Sequence, residues 1–109
     1  MVMRIERVVG ERLTILRLSG RLQSEHVEQL KSQIEGSIQR VVLDLEEVPT
    51  IDSSGIGMLV RHLTAAKQSG GAIRLLKPSK FTVQTLKMVG LLNLFTTFED
   101  EAAAVASFQ

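Results

Sequence analysis

Asp52-Ser53-Ser54-Gly55-Ile56-Gly57 brings a carboxylate, two adjacent hydroxyls and two glycines together in a chain of 109 residues. Such a cluster suits three kinds of chemistry. An Asp or Ser ahead of a helix accepts an orphan backbone N–H, worth about 1 kcal/mol. A glycine-flanked helix start can hold a phosphate. A serine between glycines can act as a nucleophile. The glycines argue for more than capping: each costs about 1 kcal/mol in a helix relative to Ala. Lacking Cβ atoms, they let another backbone or a nucleotide come close.

The enzyme readings fail on spacing. A nucleophile elbow needs a glycine two residues before the serine, where this chain has Ile51 or Asp52. The dinucleotide fingerprint needs a third glycine where Val60 stands, and no Gly-Lys-Ser/Thr occurs for a phosphate-binding loop. His26 and His62 fall on different expected helices without metal-ligand spacing, and both read as solvated helix residues. No catalytic residue, metal site or cofactor is expected.

Positioning the cluster requires a core, and one domain spanning 1–109 is expected to supply it. The 44% apolar and 23% charged content is that of a soluble globular chain. Thirteen basic and twelve acidic residues leave a formal charge of +1, which gives no overall field for nucleic acid or an acidic membrane. Having no Trp or Tyr and only four Phe also argues against a base-stacking platform. The absence of cysteine fits a reducing cytosol. Charges at Arg4, Glu6 and Arg7 interrupt any leader-like run, and 89–98 is too short to span a bilayer. A soluble, cytoplasmic protein is expected.

The periodicity gives the elements. Residues 3–9 and 13–19 flank Gly10-Glu11 and read as an antiparallel hairpin. From Ser24, a plausible cap, Val27, Leu30, Ile34 and Ile38 recur at helical spacing. Val41-Val42-Leu43-Asp44-Leu45 reads as a central buried strand. A helix is expected over 55–68, with Ile56, Leu59, Val60 and Leu63 inward and Met58, Arg61, His62 and Ala65 outward. Gly70-Gly71 stops it, 72–76 forms a strand, Pro78-Ser79 opens a helix to Val89, and Gly90 ends that helix. An edge strand over 94–98 and a last helix capped by Asp100 complete the order β-β-α-β-α-β-α-β-α. That alternation is an α/β fold with a mixed, mostly parallel sheet behind an N-terminal hairpin.

Val42-Leu43-Asp44-Leu45, Ile51-Asp52-Ser53-Ser54-Gly55-Ile56-Gly57, Gly70-Gly71 and Met88-Val89-Gly90-Leu91 resemble the STAS domain, and within it the bacterial anti-sigma-factor antagonists. The likeness covers nearly the whole chain, including Leu18-Ser19-Gly20-Arg21-Leu22. It implies a non-enzymatic module that sequesters an anti-sigma serine kinase and so releases a sigma factor. It implies that the kinase phosphorylates Ser53, that Asp52, Ser54, Gly55 and Gly57 support the loop, and that a serine phosphatase resets the switch. One position departs: Gln23 stands where the antagonists usually carry an acidic residue. The resemblance also leaves open a subunit of a membrane transport or other signalling complex, and a nucleotide-binding module. For a partner interface the outward residues Met58, Arg61 and His62 are the candidates, Met58 as an adaptable exposed contact.

Overall fold

The computed structural model describes residues 4–10, 13–20, 24–35, 40–68 and 70–108. Among these residues five strands form one sheet in the order β1-β2-β3-β4-β5: β1 Arg4–Val9, β2 Thr14–Ser19, β3 Arg40–Glu47, β4 Ala72–Leu76 and β5 Thr96–Phe98. β1 runs antiparallel to β2, and every other pair is parallel. The helices are α1 Ser24–Glu35, α2 Ser53–Gln68, α3 Lys80–Met88 and α4 Glu101–Ala106, with a 3-10 turn at Leu92–Leu94. The expected order of elements is therefore the observed one. The Ser24 side chain and Arg21, Leu22 and Gln23 lie outside the described residues.

Sequential strand order combined with right-handed crossovers puts α1, α2 and α3 on one sheet face. The larger core lies there: Leu16, Leu18, Leu43, Leu45 and Leu75 meet Leu30 of α1, Leu59 and Leu63 of α2, and Leu86 of α3. The opposite face holds a smaller cluster of Leu13, Ile15, Val42 and Leu76 beneath Ala104 of α4. This division explains the pattern of β3. Val41, Leu43 and Leu45 are buried under the three helices, whereas the other face passes from buried Val42 to half-buried Asp44 and exposed Glu46. At its end, Glu46 accepts a 2.9 Å bond from Lys77, which raises the Lys77 pKa above its ordinary value.

Glycines end two of the helices. Leu91 N–H donates to Leu86 O at 2.8 Å and Gly90 N–H to Lys87 O at 3.1 Å, with Gly90 at φ 76°. This paired closure recovers carbonyls that the helix end would leave unbonded. Gly71 N–H to Ala66 O and Gly70 N–H to Lys67 O, with Gly70 at φ 82°, repeat it after α2. A Cβ at Gly90 would meet nothing within 4 Å, so the need for glycine there is purely one of backbone conformation. Gly90→Ala should cost about 1 kcal/mol of stability, read as a lower urea midpoint with an unchanged slope.

Candidate functional site

The β3–α2 loop is fixed at both ends before it presents anything. Val48 is 1% and Ile51 5% exposed, both packed in the main core. Val48 N–H closes a turn onto Leu45 O at 3.0 Å. From the side, the Ser79 hydroxyl donates to Pro49 O at 3.2 Å while accepting from Thr82 N–H at 3.0 Å as the cap of α3. The loop is thus tied to the start of the neighbouring helix.

Asp52 is the cap of α2. Its Oδ1 accepts from Gly55 N–H at 3.0 Å, and its carbonyl accepts from Ile56 N–H at 3.0 Å. The helix therefore begins at Ser53, two residues earlier than the periodicity suggests, because the apolar repeat starts only at Ile56. Ser53 and Ser54 are exposed in the first turn, Asp52 is half-buried and Gly55 is buried. Among the described residues the Ser53 hydroxyl makes no hydrogen bond. A hydroxyl there is open to a protein that reaches it, and an anion there meets the positive end of the helix. A free phosphate would have to share the turn with the Asp52 carboxylate already bonded into it, which disfavours a built nucleotide site.

The outward set of α2 needs one correction. Met58 is 1% exposed and belongs to the core; it cannot touch a docked protein. The expectation centred the buried stripe on Ile56, Leu59, Val60 and Leu63, but Val60 is only half-buried. The helix packs against α1 as well as the sheet, so its covered arc is roughly 160° wide at about 100° per residue and extends back through Gly55 and Met58. His62 is half-buried, with Nδ1 2.8 Å from Met58 O, while Arg61 is fully outward. The exposed face of α2 is Ser53, Ser54, Gly57, Arg61, Thr64, Ala65, Lys67 and Gln68. Thr64 was not anticipated, and counting on from Ser53 at helical spacing would have found it. His26, expected to be solvated, is 8% exposed. Gly57 faces open space, since a Cβ there would meet nothing within 4 Å.

The chain matches the STAS domain over residues 4–104. It is 27% identical over 100 residues to the anti-sigma F factor antagonist of Paenibacillus polymyxa, covering 87% of this chain and 86% of that one. A putative anti-sigma factor antagonist from Thermotoga maritima superposes with a TM-score of 0.86 at 21% identity, over 94% of this chain and 92% of that one. The Bacillus cell fate determinant SpoIIAA, solved in its phosphorylated form, gives 0.74 at 23% identity, over 99% and 100% of the two chains.

Two substitutions separate packing from surface on α2. Met58→Ala should destabilise by about 2–5 kcal/mol as a buried large-to-small change, seen in the denaturation midpoint. Gly57→Ala should stabilise by up to about 1 kcal/mol through helix propensity alone, as a raised thermal midpoint. Match, packing and topology agree: this chain belongs to the STAS domain family.

Proposed function

We propose that this protein is an anti-sigma-factor antagonist of the cytosol, a binding module whose grip on an anti-sigma serine kinase is controlled at Ser53. The observation that carries the reading is the exposed Ser53 hydroxyl at the first position of α2, held on a fixed loop directly after the capping Asp52. The name borne by the Paenibacillus relative, anti-sigma F factor antagonist, supports the choice of partner. In this reading the kinase phosphorylates Ser53, a serine phosphatase removes the phosphate, and Ser54, Gly55 and Gly57 shape the turn around it.

The physics assigns the effect to the interface and not to the fold. A phosphoserine carries about −1.5 to −2 charges. At the helix start the macrodipole favours it by about 0.3–1 kcal/mol, and Asp52 opposes it by a similar, screened amount. The two nearly cancel, so the domain stays folded. Docking a partner over an unpaired dianion costs several kcal/mol, and about 1.4 kcal/mol is already tenfold in affinity.

Incubation with the anti-sigma kinase of the native organism and ATP should add one phosphate, mapped by mass spectrometry to Ser53 and abolished in Ser53→Ala. Ser53→Glu should leave the thermal midpoint nearly unchanged while weakening kinase binding at least about tenfold. Phosphate on Ser54 alone, or none at all, would remove Ser53 from the switch.

A further inference from the structure

The charges of this nearly neutral chain are segregated. From Ser53 to Phe98 there is no Asp or Glu, while Arg61, Lys67, Arg74, Lys77, Lys80 and Lys87 all fall there; every one of the twelve carboxylates lies outside that stretch. Arg74 and Lys77 turn to other partners, the first bonded to Ser107 and stacked over Phe108, the second bonded to Glu46. The remaining four, Arg61 and Lys67 on α2 with Lys80 and Lys87 on α3, are exposed. None of them is in an ion pair with a described carboxylate.

These four cations stand on the helical layer that covers one sheet face, with Arg61 and Lys67 on the two flanks of the exposed arc of α2. α2 and α3 leave the carboxyl ends of the adjacent strands β3 and β4 on the same sheet face, so they run in the same direction within one helical layer. The Ser79–Pro49 bond ties their starts together. About 100° around α3 from the Lys80–Lys87 stripe stand bare apolar groups: Phe81 is 57% and Met88 85% exposed, seven residues apart and hence on one stripe of α3. Val89, 55% exposed, follows at its end. The inward stripe of α3 is already satisfied by Thr82 and Leu86, so these outward groups contribute little to the fold.

We propose that the common outer face of α2 and α3 docks an acidic amphipathic segment of a protein partner, with Arg61, Lys67, Lys80 and Lys87 supplying the charge and Phe81 and Met88 the apolar anchors. Complementarity selects this occupant. A second copy of the chain would set four cations against four. A membrane would be offered only three apolar side chains, too few for an inserted helix face. On the reading that Ser53 is phosphorylated, the inference also explains release: the phosphate lies at the head of the same face, offsets part of its positive charge, and repels an acidic partner before any steric clash.

The test uses a synthetic helical peptide with Glu along one face and Leu along the other, a Lys-for-Glu counterpart, and phosphatidylglycerol vesicles. Titration of the acidic peptide into isotopically labelled protein should shift the amides of 61, 67, 80, 81, 87 and 88. Its affinity should fall about tenfold in the double variant Lys80→Glu, Lys87→Glu, and again in Phe81→Ser with Met88→Ser. Raising salt from about 0.05 to about 0.5 M should weaken it, and the Lys peptide should not bind. Shifts mapping elsewhere, no shifts, indifference to charge reversal, or binding to vesicles but not to the acidic peptide would each overturn the proposal. The four substitutions are at exposed positions, and an unchanged thermal midpoint confirms that each variant is folded. Failure of kinase phosphorylation at Ser53 would leave these outcomes standing, so the two readings fall separately.

Discussion

The start of α2 is held by the capping of Asp52, whose carboxylate accepts from Gly55 N–H at 3.0 Å. Everything presented by this end of the molecule follows from it. The cap fixes where the helix begins, and Ile51 and Ile56 are buried on either side of it. With both isoleucines turned inward and the helix phase set, Ser53 and Ser54 have no direction left but outward. The loop carries little freedom of its own, since Val48 is sunk in the core and Pro49 O is bonded to the cap of α3. A serine here is a fixed feature of the surface, in contrast to one at the tip of a mobile loop.

Strong local signals made most of the fold legible. The switch from alternating to helical spacing, the aliphatic run of β3 and the glycine punctuation all correspond to physical necessities. Gly70-Gly71 and Val89-Gly90-Leu91 are helix closures whose left-handed residues only glycine adopts without strain. Asp100 reads as a cap and is one, accepting from Ala103 N–H at 3.3 Å. The expected last helix is shorter than its sequence pattern, Glu101–Ala106. The edge strand narrows to Thr96–Phe98 because Leu92–Leu94 coil into a 3-10 turn first.

What the sequence concealed was tertiary. A pattern of apolar residues gives the centre of a buried stripe only when the helix packs on one surface. α2 packs on two, the sheet and α1, and its buried arc reaches Gly55 and Met58. His26 reads as solvated for a related reason: the burial of a polar ring, here 8% exposed, is invisible to hydropathy, because it depends on neighbours distant in the chain. The two glycines of the cluster also differ in kind. Gly55 is enclosed, whereas Gly57 lies on the open face, and only the packing of α2 distinguishes them.

The fixed platform under Ser53 decides how a charge placed there would act. A switch that worked by melting α2 would need the helix start to be marginal, with its cap as the weak point. Here the cap is reinforced by buried residues before and after it, and the added phosphate would meet a favourable dipole. A charge placed on such a support cannot be accommodated by retreat. It must be borne by whatever lies across the interface, and a partner held by complementary charge is the kind most sensitive to it. The same firmness that keeps Ser53 exposed is therefore what would convert a local modification into loss of a protein contact.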